Sequence, residues 1–501
     1  MNLLIRADAS VEIGTGHVMR CLALAQAWQD VGGQAEFAMA ESTAAIQARL
    51  AAESCGMVAL PSEPGTTADA GETIALARQH QAEWVAVDGY RFSAEYQQEL
   101  KQAGCKVLFL DDYGHAEHYF ADVVLNQNVQ ASEEMYGRKE RSARLLLGPR
   151  YCLLRREFSG WREWKREIAP AARKVLVTMG GSDSANVTGR VIEALQMVEV
   201  EGLEATVVVG GSNPHLAELQ KSACESSRKI AVMRDVANLP ELMAGCDAAV
   251  SAAGSTCWEL CLLGLPSLLI DVAENQAGVA KAMDASGCAV HVGNGSVETG
   301  KIAQELERLL QSQPLRQSLA ERSRKLVDGH GAERVVSVLR GRERLHLRRA
   351  RERDGRLLWE WANDPEVRAA SFSSEPISWE THRAWLARIV ADGNCILFVA
   401  EDEGASPLGQ IRFDSRADGD WEIDVSVARN RRGQRLASRL IACGVKTVLK
   451  NGGGCCRFHA FVKPANVASL RAFEKADFRR IATEQVHGSP AVHLIYEGSS
   501  A

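Results

Sequence analysis

Gly14, Thr15, Gly16 and His17 stand in a row, a few residues after the apolar opening "NLLIRADAS" and at the head of "VMRCLALAQAW", which has the pattern of a helix. Glycines at such a turn let the backbone come close to a ligand, and a helix N-terminus favours an anion. The same dipole disfavours an imidazolium, so a neutral His17 able to take a proton from water is the expectation. The plain alternative is a polar side chain satisfied within a turn. Arg6, Asp8 and Arg20 flank this turn and are candidate substrate contacts. A comparable turn, "TMGGSD", carries Gly180 and Gly181. A third, "SAAGSTCWE", offers Gly254, Ser255 and Thr256 to a diphosphate and Glu259 to ribose hydroxyls, and "DVAENQ" adds Asn275 and Gln276. Asp8, Asp88, Asp111 and Asp112 close other apolar runs. They read as loop anchors or sugar contacts, and no metal site is expected.

The last third holds a different set. "WEIDVSV" alternates Glu422, Asp424 and Ser426 with Trp421, Ile423 and Val425, which puts the two carboxylates on one face of a strand. That is the pattern of any half-solvated strand, and equally of a strand edging a cleft in which Glu422 or Asp424 deprotonates an amine. Next comes "VARNRRGQRLASRLI", a glycine-containing turn before a helix, and then "KPANVASLRAFEKADF" with Asn466 and Ser469.

The elements that must hold these residues follow from periodicity. "LLIRA", "AEFAM", "WVAVD", "KVLFLDD" and "ADVVLNQN" read as strands separated by amphipathic segments such as 21–30 and 94–103. After a pause at 151–170 the alternation restarts with "KVLVTMGG", "EATVVVGG", "IAVMRDV", "DAAVSAAG" and "PSLLIDV". Strands alternating with helices mean parallel sheets, here two Rossmann-like domains in tandem, which bind ligands beyond the carboxyl ends of their strands. Between Arg340 and Arg356 eight arginines face three acids, a solvated linker with an edge strand. Beyond it a helix-rich stretch at 356–389 precedes "CILFVA", "PLGQIRF", "WEIDVSV", "CRFHAFV" and "AVHLIYE", an α+β texture. The expected division is residues 1–155, 156–340 and 341–501.

The whole chain has 501 residues, a net charge of -6, 46% hydrophobic and 24% charged residues. That balance suits an α/β globular protein and gives no reason to expect a nucleic-acid or membrane partner. Its most apolar stretch, around 261–270, contains Gly264 and Pro266 and is too short to span a bilayer. No leader is seen ahead of the first strand, and thirteen scattered cysteines fit a reducing compartment, so a cytoplasmic location is expected. Oligomeric state is open.

Residues 1–340 resemble the GT-B-fold UDP-sugar hydrolases of pseudaminic acid synthesis and, more distantly, the transferase that adds N-acetylglucosamine in peptidoglycan assembly. The stretches that carry this are "RADASVEIGTGHVMRCLALA", "VDGYRF", "LDDYGH", "DVVLNQN", "YCLLRREF", "TMGGSD", "SAAGSTCWELCLLGLPSLLI" and "AENQ". The resemblance implies that His17 is the general base, that Gly254, Ser255, Thr256 and Glu259 hold UDP, and that Asn275 and Gln276 lie near sugar and phosphate. It also implies a metal-independent reaction.

Residues 345–496 resemble GNAT acetyltransferases, whose acetyl-CoA turn aligns with Val427 and with Arg432, Gly433, Gln434, Arg435, Leu436 and Ala437. Arg435 stands where that family usually has glycine. Asn466 and Ser469 match its later motif, but Phe473 replaces the tyrosine that protonates the departing thiolate, so Tyr496 is the substitute candidate. The combined expectation is a bifunctional enzyme with a UDP-linked amino sugar and acetyl-CoA as substrates. The rivals are a UDP-sugar glycosyltransferase fused to an acetyltransferase, and a non-catalytic UDP-sugar sensor.

Overall fold

The computed structural model describes residues 1–498 except 11, 141, 182, 212, 235, 237, 343–344, 403–405, 434–435 and 453–455. The chain divides into two compact units, Met1–Gly341 and Arg342–Ala501.

The first unit holds two parallel sheets. Strands β1 (Asn2–Ala7), β2 (Gln34–Met39), β3 (Gly56–Ala59), β4 (Ala82–Asp88), β5 (Val107–Leu110), β6 (Val123–Asn126) and β7 (Arg144–Leu147) run in the order β3-β2-β1-β4-β5-β6-β7. Strands β8 (Lys174–Thr178), β9 (Glu204–Val209), β10 (Lys229–Arg234), β11 (Ala248–Ala252), β12 (Ser267–Asp271) and β13 (Val290–Asn294) run β10-β9-β8-β11-β12-β13. Both are doubly wound. Each reverses strand order once, between β1 and β4 and between β8 and β11, and such a reversal opens a crevice at the carboxyl ends of its strands. β1, β4, β5 and β6 are buried on both faces and read as continuous apolar runs, as parallel strands covered by helices do. The sequence did not mark β3, β7 or β13.

One helix within the expected 156–340 segment packs on the first sheet. Gly331–Leu339, the last helix of the unit, returns to the first sheet, where Val335, Val336 and Leu339 pack into the same core as Leu3, Ile5 and Trp84. The Trp84 indole N–H donates to the Leu339 carbonyl at 3.0 Å. The two Rossmann halves share this closing helix.

The second unit is one sheet of β14 (His346–Arg349), β15 (Cys395–Glu401), β16 (Pro407–Ser415), β17 (Trp421–Val427), β18 (Cys456–Val462), β19 (Arg479–Val486) and β20 (Ser489–Gly498), ordered β14-β15-β16-β17-β18-β20-β19. All its pairs are antiparallel except β17 with β18, which run parallel. Those two pair only at Trp421↔Phe458 and Glu422↔His459, so past the second position the strands part. One sheet face packs on the helices Leu436–Gly452 and Val467–Glu474, giving a core of Ile411, Phe413, Leu440, Ile441 and Phe458.

The cores of the first unit end at Leu339 and those of the second begin at Ala350, apart from half-buried Leu345 and Leu347 at its edge. Separately expressed fragments 1–341 and 342–501 should therefore each be soluble and unfold cooperatively by circular dichroism. Insolubility of both would mean that the units share a core.

Candidate functional site

The first crevice collects the predicted histidine. Gly14 turns with φ of 79°, its N–H donating to the Ser10 carbonyl at 2.9 Å, and the helix Gly16–Asp30 begins at once. Spacing of three and four residues puts His17, Arg20 and Cys21 on one face of that helix, toward the end of β4. There His17 Nδ1 lies 2.7 Å from Asp88 Oδ1. A carboxylate only accepts, so Nδ1–H donates to Asp88 and the lone pair sits on Nε2. Arg20 forks onto the same carboxylate, Nε to Oδ2 and Nη2 to Oδ1, both at 2.7 Å, and its Nη1 reaches Asp112 Oδ1 at 2.7 Å. Burial would raise the pKa of Asp88, but Arg20 and then His17 hold it well below the usual carboxylate range. The site thus contains a buried, ionised aspartate behind a histidine.

Tyr90 closes one side. Its ring meets His17 edge-on at 4.9 Å between centroids, and its hydroxyl donates to Asp112 Oδ2 at 2.6 Å. Asn275 Nδ2, from the short helical turn after β12, donates to the Tyr90 oxygen at 2.6 Å. Gln276 lies over Gly254, where an added Cβ would sit 3.6 Å from its Nε2, and its Oε1 accepts from the Val272 N–H. A Cβ on Gly16 would lie 3.9 Å from Ser255 Oγ. The turns after β1 and β11 and the segment after β12 therefore meet in one place, and His17, Gly16, Gly254, Ser255, Asn275 and Gln276 come together as expected of one crevice.

Other candidates have different duties. Arg6 is fully buried, with Nε and Nη2 on Asp69 at 2.8 and 3.0 Å and Nη1 on Asp8 at 2.8 Å. Asp8 also accepts from the Ala40 and Glu41 N–H groups. Both are interior struts for the loop after β2, not open substrate contacts. Arg20 is likewise occupied by two carboxylates and positions Asp88. Gly181 is taken up by packing, since a Cβ there would come 2.5 Å from Thr15 Oγ1, whereas Gly180 has open space and φ of 85°. Thr256 opens the helix Thr256–Leu262. Glu259, on that helix, is buried and receives Arg155 Nη2 at 2.8 Å on Oε1. Burial raises its pKa against the pull of Arg155.

Sequence reasoning missed the partners. Asp88 was read only as a strand-end carboxylate, although His17 and Arg20 at helical spacing needed an acceptor on the neighbouring strand. Asn128 Nδ2, which donates to Asp112 Oδ1 at 2.9 Å, was not singled out at all. Asp111, read as a loop anchor or sugar contact, takes His115 Nδ1–H at 2.6 Å, the Tyr136 and Tyr119 hydroxyls at 2.8 and 2.9 Å and the Gly114 N–H at 2.7 Å. Burial opposes its ionisation, yet these donors, His115 foremost, bring its pKa down to about 2. A carboxylate depressed on folding contributes stability that is present above its unfolded pKa and lost as pH falls through the folded one. Asp111→Asn should cost about 2 kcal/mol at pH 7, and the gap to wild type should close between about pH 4 and pH 2 in chemical denaturation. A gap independent of pH would refute this.

In the second unit β17 parts from β18 after two paired positions, with Val427 at the end of β17. Gly433 adopts φ of 79° just before the helix Leu436–Gly452, and Ala437 lies in that helix's first turn. Gln434 and Arg435 lie outside the described residues. Arg432 is drawn the other way. Its guanidinium binds Asp364 at 2.8 Å and Glu366 at 3.0 Å, with Nε donating to the Val427 carbonyl at 3.2 Å. It staples the turn to the helix Pro365–Ala370, so its side chain is not an open cofactor contact. Asn466 caps the helix Val467–Glu474, its Oδ1 accepting the Ser469 N–H at 3.1 Å, and both residues are engaged with each other.

Glu422 and Asp424 share the outer face of β17, about half exposed, with Arg416 3.5 Å from the first and Arg412 4.0 Å from the second. Tyr496 packs between Phe458 and Phe478, beside Phe458 of the first paired position of β17 and β18. Near Glu422 runs a polar chain the sequence did not suggest, buried at Asp420, His459 and His493 and ending on exposed Glu484: Asp420 to His459 at 3.1 Å, His459 to His493 at 2.9 Å, His493 to Glu484 at 2.6 Å. Asp418, Asp420 and His459 also hold three potential metal-ligand atoms within 4.8 Å of one another, though Asp420 already accepts from Arg457.

A chain with two crevices at strand-order reversals and a split parallel strand pair has matching relatives. Residues 175–335 match the glycosyltransferase family 28 C-terminal domain, and residues 344–479 match the acetyltransferase (GNAT) domain. The chain thus carries a family-28-type domain at 175–335 ahead of a GNAT-type domain at 344–479. An uncharacterized protein of Methanocaldococcus jannaschii is 21% identical over 96% of this chain and 97% of its own length, so the two match almost end to end. The spore coat polysaccharide biosynthesis protein SpsG of Bacillus subtilis is 27% identical over 49% of this chain and 73% of its own. The UDP-2,4-diacetamido-2,4,6-trideoxy-beta-L-altropyranose hydrolase of Campylobacter jejuni is 27% identical over 56% of this chain and 95% of its own. Over half of its length the chain is thus similar to a UDP-sugar hydrolase, and its last part matches an acetyltransferase domain. Among the described residues no helix is long and apolar enough to cross a membrane.

Proposed function

We propose that the chain is a bifunctional enzyme acting on a UDP-linked amino sugar of the pseudaminic acid type. The GNAT domain acetylates the 4-amine of the precursor from acetyl-CoA. The family-28-type half then hydrolyses UDP-2,4-diacetamido-2,4,6-trideoxy-β-L-altropyranose. The observation that carries the hydrolase reading is the His17–Asp88 pair at the reversal between β1 and β4.

In this reading His17 Nε2 takes a proton from water as the water oxygen attacks the anomeric carbon. The bond from that carbon to the diphosphate oxygen breaks, and UDP leaves as an anion with inversion at the sugar. A nucleoside diphosphate leaves readily, so a positioned base and donors for the departing charge suffice. Gly254, Ser255 and Thr256 hold the diphosphate, Glu259 the ribose through the oxygen not taken by Arg155, and Asn275 and Gln276 the sugar side. In the GNAT domain the parted strands hold the thioester, Gly433 and the helix start at Leu436 take the pyrophosphate, and Glu422 or Asp424 removes the ammonium proton.

The test is purified protein with the UDP-linked amino sugar and acetyl-CoA, followed by phosphorus NMR for UDP and by thiol release. UDP appearing in water without any added acceptor supports hydrolysis. Release only with an added sugar acceptor would instead mean glycosyl transfer, in which the same dyad deprotonates an acceptor hydroxyl. Tight UDP-sugar binding without turnover would mean a sensor. Equal kcat/KM for the free and UDP-linked amine would overturn the order of steps.

A further inference from the structure

The crevice holds a second histidine on an anchored carboxylate. His115 Nδ1 lies 2.6 Å from Asp111 Oδ1, and Asp111 is fixed by three further donors, so Nδ1 carries the proton and Nε2 the lone pair. His17 and His115 flank one ring: Tyr90 stands edge-on to both, at 4.9 and 5.6 Å between centroids. The two imidazoles have the same tautomer but different access. His115 Nε2 is enclosed and has no hydrogen-bond partner, whereas His17 Nε2 is not sealed in this way. An unsatisfied buried acceptor is costly, and a partner brought by a ligand relieves that cost.

We propose that His115 is a specificity-determining residue of the hydrolase crevice, whose Nε2 accepts a hydrogen bond from an amide N–H or hydroxyl of the sugar. This rests on the hydrolase reading given above. Water cannot satisfy Nε2 where it now sits, because Tyr90, Tyr113 and Phe109 surround the ring. Tyr90 is pinned by Asp112 and Asn275, while Tyr113 is 45% exposed and is the ring free to yield to an entering sugar. The lone pair selects a donor, so the group read is an N–H or O–H and not a phosphate oxygen. A diacetamido sugar offers two amide N–H groups, which suits it. His17 meets water, and His115 meets substrate.

Two amide substitutions separate this from a purely structural role. Asparagine places an N–H near the position of Nδ1, so His115→Asn keeps the bond to Asp111 and removes the reader. Glutamine places an acceptor oxygen near the position of Nε2, so His115→Gln keeps the reader and gives up the anchor. With the UDP-diacetamido sugar as substrate, His115→Asn should raise KM about tenfold with kcat within about twofold, and His115→Gln should stay closer to wild type. Affinity for UDP alone, measured by calorimetry, should be unchanged in both. The reverse order, Asn benign and Gln impaired, would make His115 an anchor only and overturn the proposal. A loss confined to kcat would give it a proton-transfer role instead and overturn it equally. Unchanged kinetics in both variants would also overturn it. Wild-type protein that releases no UDP would remove the hydrolase reading itself, a failure distinct from these.

Discussion

His17→Asn should lower kcat for UDP release by about 100- to 10,000-fold, the range of a lost general base. Asparagine can still donate to Asp88 from the position of Nδ1, so the buried carboxylate keeps a partner and the fold should hold. What disappears is Nε2, the one nitrogen of the pair with a lone pair for water. UDP affinity should be unchanged, because Gly254, Ser255, Thr256 and Glu259 lie in the turn and helix after β11, away from the helix that carries His17. Acetyl transfer should be untouched, because the GNAT residues lie in the other compact unit. Phosphorus NMR and a thiol-release assay on the same sample read both activities. Near-normal UDP release by the variant would end the assignment of His17, and parallel loss of both activities would point to misfolding.

How far the sequence went depends on whether a feature is local. The glycine turn and the histidine at the start of the helix occupy four consecutive positions, Gly14 to His17, so their chemistry could be read directly. The alternation of Glu422 and Asp424 with Ile423 and Val425 is also local, and the strand carries it as expected. The partners of Arg6 and Arg20 are not local: Asp69 is 63 residues from the first, and Asp112 is 92 from the second. Nothing near either arginine says whether it faces a ligand or a neighbouring strand. Only the strand order, which sets β4 beside β1, brings Asp88 to His17. The missed strands have a similar cause. β19, "RRIATEQV", is exposed along most of its length, so it has no alternation to detect, and β3 and β7 are four residues each. Arg432, Asn466 and Ser469 matched a motif by position, but their hydrogen bonds go to neighbouring side chains and to a helix cap.

Asp88→Asn carries the second large effect, because one carboxylate serves three side chains. Its Oδ1 takes His17 Nδ1–H and Arg20 Nη2–H, and its Oδ2 takes Arg20 Nε–H and the Cys21 thiol. An amide has one oxygen and one NH2, and either orientation fails. With nitrogen toward His17, the amide donates to Nδ1 and drives the ring proton to Nε2, so the base is lost. With nitrogen toward Arg20 Nε, two donors meet and the charge that offsets the guanidinium is gone. The corresponding change in histidine–aspartate pairs elsewhere costs about 10,000-fold in kcat through the wrong tautomer, and about 1,000- to 10,000-fold is expected here. Removing one member of a buried ion pair also destabilises, by about 3–5 kcal/mol, so thermal unfolding must accompany the kinetics. The decisive measurement is the double variant His17→Asn/Asp88→Asn. If Asp88 acts through His17, the double variant is no slower than His17→Asn alone, since residues that act as a unit are not additive. Multiplying losses would mean that Asp88 serves the reaction by another route, and a folded Asp88→Asn protein with near-wild-type kcat would remove the dyad from the mechanism.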